Sequence, residues 1–220
     1  MKEFEQVSDI YLNDLLEISK IKINDESYIL EQILCDDISN KKTMSDYITL
    51  LSDIGTFRYS EWSKEIDKEI NISSEYGKNI WLDELDFISS SSRNFVIRDF
   101  KTFNIIGVAR MSYHDNFLDT RSRDLVIFKD YNNNDEINQS PVVDLGRLII
   151  KTEYRRNGIA HYLNKLRIHI AKLLNTKYII VTASKGNSIL LKKLGFHDIQ
   201  KVVYFNDRPN FPFHCLQLKL

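Results

Sequence analysis

Apolar positions recur along this chain at two periods, and the switch between them marks out the elements. Residues 8–20 (SDIYLNDLLEISK) set Ile10, Leu12, Leu15, Leu16 and Ile18 at mixed helical spacing behind a capping Ser8 or Asp9, which predicts an N-terminal helix. YILEQILCDDIS (28–39) alternates imperfectly and reads as a first strand ending at Asp36-Asp37. Residues 45–66 read as a helix begun by Ser45 or Asp46, with an apolar stripe of Ile48, Leu51, Ile54, Phe57 and Trp62. A polar connection with Ser73, Ser74 and Gly77 leads to a short segment around Trp81-Leu82-Asp83-Glu84-Leu85, then to the serine run 89–92. In 93–113 two β-rich arms flank a polar Lys101–Asn104 turn, a hairpin signal. Residues 114–141, with Tyr131-Asn132-Asn133-Asn134-Asp135 and Pro141, predict a surface loop.

The last 80 residues carry the clearest pattern. Val142–Ile150 (VVDLGRLII) is strand-like, and a helix follows with Ile159, Leu163, Leu166, Ile170 and Leu173 on its apolar face. YIIVTA (178–183) has the composition of a central strand, and Ser188–Leu194 is a short helix stopped by Gly195. HCLQLKL (214–220) alternates, with Leu216, Leu218 and Leu220 on one face. Strand, helix, strand, helix, strand behind upstream hairpins predicts an α/β or α+β sandwich. No repeat of 20–50 residues is present, which argues against a solenoid or propeller.

Composition narrows the function classes. The 220 residues carry 30 basic and 31 acidic side chains for a net charge of −1, so nothing draws the chain as a whole to nucleic acid or anionic lipid. No apolar run approaches the roughly 20 residues of a membrane-spanning helix. The acid-bearing start MKEFEQVSDIY is unlike a signal peptide, and the expectation is a cytoplasmic protein. Two cysteines, Cys35 and Cys215, make neither a disulfide framework nor a zinc site, and His197, His214 and Cys215 are too scattered for a metal; none is expected. Only seven glycines occur, so each invites a reason.

One of them sits in LIIKTEYRRNGIA (148–160), where a strand enters a basic turn and a helix starts directly after it. The first N–H groups of a helix lack internal partners and carry the positive end of its dipole. With Gly158 permitting close approach and Arg155 and Arg156 adding charge, such a turn can take a phosphate or diphosphate on main-chain donors. The alternative is a solvated loop with a convenient glycine.

Arg155-Arg156-Asn157-Gly158-Ile159-Ala160 resembles the Arg/Gln-x-x-Gly-x-Gly/Ala signature of the GNAT acyltransferase superfamily. The strand GRLII before it, the long helix after it, the strand YIIVTA and the short helix closing in Leu194-Gly195-Phe196 fit the same pattern. Upstream, IIGVARMSYHD resembles the superfamily's second and third strands; WLDELDFISSSSRNFVIRD and RPNFPFHCLQLKL look like a bacterial subgroup of unassigned acceptor. The resemblance covers roughly 28–220, leaving 1–27 as an N-terminal helical extension to a single domain. It implies a GNAT fold: a mixed central sheet of about six or seven strands flanked by helices, plus the extra N-terminal helix.

The resemblance also implies an activity and its parts. The co-substrate would be acetyl-CoA or another acyl-CoA, and the acceptor an amine of a small molecule or peptide. Main-chain groups of Leu148, Ile149 and Ile150 would bind the pantetheine arm like an extra strand, and the amides of Arg156, Asn157, Gly158, Ile159, Ala160 and His161 would hold the diphosphate. The strand Val142–Ile150 would bulge and splay from Tyr178–Thr182, opening a V for the thioester, with a main-chain N–H polarising its carbonyl. One expected arrangement is a homodimer through the sheet edge near the C-terminal strand.

The sequence departs from the family where a general acid is expected. A Tyr commonly stands four residues before the Gly of Leu-Gly-Phe; here that position is Leu191. The Asn that commonly precedes that helix aligns with Ser184, and Asn187 lies close by. Either the thiolate leaves unaided or Tyr204 from another segment supplies the proton. Candidates for the general base are Asp144 and His114. Asp144 has the alternative of pairing with Arg147 or a loop amide, and His114 that of a surface residue at a strand end. Arg147 either forms a salt bridge or binds an acidic acceptor. Asp83, Glu84 and Asp86 either line a cationic acceptor site or form a solvated helix start, and Phe57, Tyr59 and Trp62 read as core. Two rival readings stand beside N-acetyl transfer. One is a long-chain N-acyl amino acid or acyl-homoserine-lactone synthase, to which the acidic-x-x-Arg spacing of Asp144 and Arg147 is similar. The other is a catalytically silent acyl-CoA-binding module.

Overall fold

The computed structural model describes residues 16–34, 41–64, 79–86, 92–120, 135–205 and 208–220. Outside them lie the predicted cap at Ser8 or Asp9, the Asp36-Asp37 turn, the Ser73–Gly77 connection and the Tyr131–Asn134 loop. Eight strands form one sheet in the order β1-β2-β3-β4-β5-β6-β8-β7. They are β1 (Leu16–Ile23), β2 (Glu26–Leu34), β3 (Ser92–Asp99), β4 (Ile105–His114), β5 (Val142–Ile150), β6 (Tyr178–Ser184), β7 (His197–Phe205) and β8 (Arg208–Lys219). Among the described residues only β5 and β6 pair in parallel. That is the expected mixed sheet with flanking helices, with one or two more strands than the resemblance implies.

The difference lies at the two edges. Residues 16–20, the second half of the predicted N-terminal helix, belong to β1, which pairs with β2 from Leu16↔Ile33 to Ile23↔Glu26. The segment LEISKIKI holds alternating Ile21 and Ile23 against the core, while Ile18 faces out at 66% exposure. A helical reading gathers Ile18 with Ile21; the strand puts them on opposite faces. The expected boundary at 27/28 therefore falls inside a paired hairpin, whose turn residues Asn24 and Asp25 both have positive φ. At the other edge β7 pairs with β8 through three irregularities.

Helices cover both faces. Helix α1 (Lys41–Trp62) starts four residues before the predicted Ser45. Its buried stripe is Tyr47, Leu50, Leu51, Ile54, Arg58 and Glu61, whereas Ile48 is exposed. This stripe packs with Trp81, Leu82, Ile33, Val96, Val108 and Ile149. Helix α2 (Ile159–Leu173) covers the opposite face with Leu163, Leu166, Ile170 and Ala171, against Phe95, Ile97, Ala109, Met111, Val143 and Leu145. Leu173, expected in that stripe, is 43% exposed. Helix α3 (Lys185–Lys193) follows β6, and Gly195 beyond it has φ +96, the left-handed stop predicted for it. In the predicted 114–141 loop, Phe117 and Ile137 are buried with Val142 and Ile180, so its described ends pack on the sheet. No helix among the described residues is long and apolar enough to cross a membrane.

Candidate functional site

The site begins where β5 leaves β6. The two strands pair from Val142↔Tyr178 to Leu145↔Val181 and no further, so β5 from Gly146 to Ile150 has no β6 partner. On its other side β5 stays paired with β4, but Val108 faces Ile149 while Arg110 faces Gly146. One extra β5 residue is accommodated there, and Arg147 takes φ +55. Such a bulge bends its strand and sharpens the local twist. The bulge and the splay that the motif implies are both present, and Leu148, Ile149 and Ile150 lie along the opened arm.

That arm runs into the basic turn. Thr152–Tyr154 makes one 3₁₀ turn, and α1 anchors it: Glu61 Oε2 accepts from the Thr152 amide at 3.2 Å. The Tyr154 hydroxyl donates to Asp99 at 3.2 Å, and Arg155 Nε donates to the Ile150 carbonyl at 3.1 Å. Arg156 is exposed and has φ +68. Gly158 is the N-cap of α2 with no side-chain cap, and no acidic residue stands in the first turn. Among the described residues no protein acceptor meets the amides of Arg156, Asn157, Gly158, Ile159, Ala160 or His161. Six donors left open at the positive end of a helix fit an anion such as a diphosphate.

The reason for the glycine differs from the expectation. Gly158 has φ +87, and a Cβ there would stand 3.0 Å from Asn24 Nδ2 and 3.1 Å from Ile23 Cγ2. Its missing side chain makes room for the β1–β2 turn, and Asn24 Nδ2 also donates to the Asn157 carbonyl at 3.1 Å. His161 is half-buried, and burial, with Lys165 and Lys193 nearby, pushes its pKa down toward the neutral form. Ser184 caps α3 without a side-chain bond, and Asn187 accepts from Asn164 Nδ2 at 2.9 Å.

On the α1 face, beside the bulge, lies a charged cluster. Arg58 pairs with Asp86 at 2.9 Å with both side chains fully buried, and Arg110 bridges Asp83 at 2.5 Å and Asp86 at 3.1 Å. Arg147 pairs with Asp83 and stacks on Trp81, 4.3 Å from the ring centroid. Three guanidiniums thus face two carboxylates. Burial would raise both aspartate pKa values, but the Arg110 and Arg147 charges beside Asp83, and Arg58 and Arg110 beside Asp86, hold them below the ordinary range. Burial lowers the Arg147 pKa to about 10, helped by Arg110. So Asp83 and Asp86 are buried ion-pair partners and not a solvated helix start, and Arg147 pairs with Asp83, not with Asp144.

The candidate bases share this face. Asp144 stands opposite Ser112, two residues before Gly146, and His114 opposite Val142 at the closed end of the cleft. At about 3.3 Å per residue these are roughly 7 and 13 Å from Gly146 along the strand. Burial lowers the His114 pKa, opposed chiefly by Asp144, and His114 Nε2 is buried with no hydrogen-bond partner. Leu191 is fully buried in the α2-side core, so the usual acid position offers no proton. The Tyr204 side chain lies outside the described residues. Its backbone pairs with Pro212, next to Phe213, which pairs in turn with Ser184 at the end of β6. Sequence reasoning passed over Arg58, Arg110, Asn164 and Arg167; each looks like an ordinary surface residue until its helix or strand phase is known. No group of three or more His, Cys, Asp or Glu that could hold a metal occurs among the described residues.

Comparison with known proteins places this geometry. No family model matches the sequence, and no curated protein does. Solved structures do match the fold. FeeM, an N-acyl amino acid synthase from uncultured soil microbes, is 11% identical with a TM-score of 0.56 over 87% of this chain and 90% of its own. MesI, a CoA-dependent acyl-homoserine lactone synthase, is 13% identical with a TM-score of 0.58 over 86% and 87%. A putative N-acetyltransferase from Lactobacillus plantarum is 9% identical with a TM-score of 0.52 over 87% and 98%. With its bulged fifth strand, its parallel neighbour splayed away and an open helix start at the mouth of the cleft, this chain has the GNAT-like fold of the N-acyltransferases.

Proposed function

We propose that the protein transfers an acetyl or other acyl group from acyl-CoA to an amine of a small molecule or peptide. The observation that carries this reading is the open set of amides from Arg156 to His161 at the end of the β5 arm that β6 leaves unpartnered. The diphosphate binds on those amides with Arg155 and Arg156 beside it, and the pantetheine lies along Leu148, Ile149 and Ile150, with Ser184 and Asn187 on the far wall. The thioester then reaches the bulge, where a main-chain N–H of β5 polarises its carbonyl. The neutral amine attacks that carbon directly and the C–S bond breaks; coenzyme A leaves as a thiolate or takes its proton from Tyr204, and the proton that the nitrogen sheds on becoming an amide passes to water or restores the Tyr204 hydroxyl. The ammonium form of the acceptor must first lose a proton. Asp144, the nearer of the two candidates to the cleft, accepts it, with His114 beside it as the next group in line. The fold shared with FeeM, MesI and the L. plantarum protein supports the reaction class.

A second reading is favoured by one observation. In the cluster beside the bulge, Arg147 shares its carboxylate partner, Asp83, with Arg110. Arg147 is the cluster's most accessible guanidinium, with a side chain 20% exposed. An acceptor bearing a carboxylate, as in N-acyl amino acid or acyl-homoserine-lactone synthesis, would pair with that charge. Purified protein incubated with acetyl-CoA and amines with and without an α-carboxylate, with thiol release followed by a chromogenic reagent, tests both. Thiol release dependent on an amine supports transfer, and preference for the carboxylate-bearing amines supports the second reading. Coenzyme A binding without turnover on any amine would make the protein a silent binding module.

A further inference from the structure

Helix α2 buries two polar side chains, Asn164 and Arg167, within a stripe that is otherwise apolar. Arg167 is 1% exposed, and every hydrogen bond it makes goes to a neutral acceptor. Nη1 donates to the carbonyls of Arg110 (2.9 Å) and Gly146 (3.2 Å), Nη2 to Asn164 Oδ1 (2.5 Å) and Nε to the Leu163 carbonyl (3.3 Å). Asn164, itself fully buried, passes the chain on to Asn187 Oδ1 at 2.9 Å. Gly146 is the first β5 residue beyond the last β6 pair, and Asn187 lies in the first turn of the helix that β6 enters. These side chains therefore run from one arm of the cleft to the helix at the end of the other, on the α2 side. Burial draws the Arg167 pKa down to about 9, with Asp144 opposing, so the group is charged at neutral pH.

A buried charge satisfied only by carbonyls and amides cannot give up those partners without a large cost. An aliphatic chain entering from the cleft would meet this polar floor and strip its hydrogen bonds without replacing them. We propose that Arg167, with Asn164 and Asn187, is a specificity determinant that closes the floor of the cleft to long acyl chains and restricts the donor to short ones. The proposal rests on the reading of the cleft as an acyl-CoA site.

Calorimetric titration of the full chain with CoA, acetyl-CoA and octanoyl-CoA tests it. In the wild type, octanoyl-CoA should bind less than about tenfold tighter than acetyl-CoA, although it carries six more methylenes. Arg167→Met, which keeps an unbranched apolar stem and removes the charge, should raise the octanoyl-to-acetyl affinity ratio at least about fivefold; Arg167→Lys, which keeps the charge, should raise it less. If Arg167→Met does not fold, Asn187→Leu at the half-buried rim should raise the ratio at least about threefold. A wild type that already prefers octanoyl-CoA tenfold or more overturns the proposal and leaves CoA binding standing. So does a folded variant whose ratio stays below its threshold. A wild type that binds no CoA at all removes the underlying reading, and the proposal with it.

Discussion

Replacing Asp86 by Asn tests how far the buried charge cluster holds the α1 face together. The change keeps the shape of the side chain and removes its charge. Arg58, with no exposed side-chain surface, then loses the partner 2.9 Å away, and Arg110 retains only Asp83. Breaking a buried pair from one side costs about 3–5 kcal/mol, because the remaining charge stays buried. At roughly 2–4 °C per kcal/mol for a chain of this size, the thermal midpoint should fall by about 6–20 °C. The same physics fixes the pH response. The folded-state pKa of Asp86 lies below the unfolded value, so its contribution is complete above about pH 4 and is lost as the pH falls through the folded value. The gap between wild type and Asp86→Asn should therefore narrow in acid. Thermal unfolding followed by circular dichroism at pH 7 and at pH 3 measures both effects. The double variant Arg58→Met/Asp86→Leu, which removes both charges, should recover most of the loss. A single variant with a midpoint within about 2 °C of wild type at pH 7 would refute the reasoning.

Three further outcomes follow from the same geometry. Gly158→Val should weaken CoA binding at least about tenfold by calorimetry, because a branched residue at φ +87 must displace Asn24 and Ile23 and with them the turn; unchanged affinity would refute the assignment of the turn. Leu191→Ala should cost about 2–5 kcal/mol in urea unfolding while the rate per folded molecule stays within about threefold, and a collapse of that rate would give Leu191 a chemical role. Burial favours neutral His114, so the native state gains stability as the pH rises toward about 6.5 and loses it as the pH falls through the window below; His114→Gln should flatten that slope, and an unchanged slope would contradict the burial argument.

The strand, turn and helix from Val142 to Leu173 were legible because each boundary has its own chemical signal: a β-branched run, a basic turn with glycine, then apolar residues at helical spacing. The bulge followed only from the family resemblance, since nothing in DLGRLII distinguishes an extra residue from a regular strand. β1 was misread for a physical reason. Leu15, Leu16 and Ile18 imitate a helical face, and the alternation of Ile21 and Ile23 with Lys20 and Lys22 begins only after them. The buried polar groups were the least legible. Arg58, Glu61, Asn164 and Arg167 occupy positions where helix phase places the core, yet a charged or amide side chain reads as solvated until a partner from another element is seen. Asp83 and Asp86 lie 27 and 24 residues from Arg110, a separation that no local spacing rule can bridge.

The central claim is that the helix-start amides receive the diphosphate of coenzyme A, and backbone amide NMR tests it directly. Titration of ¹⁵N-labelled protein with CoA should shift the signals of Asn157 to His161 first and most, at concentrations where pantetheine alone leaves them in place. Shifts confined to other segments, or no response of these five amides at saturating CoA, would contradict it.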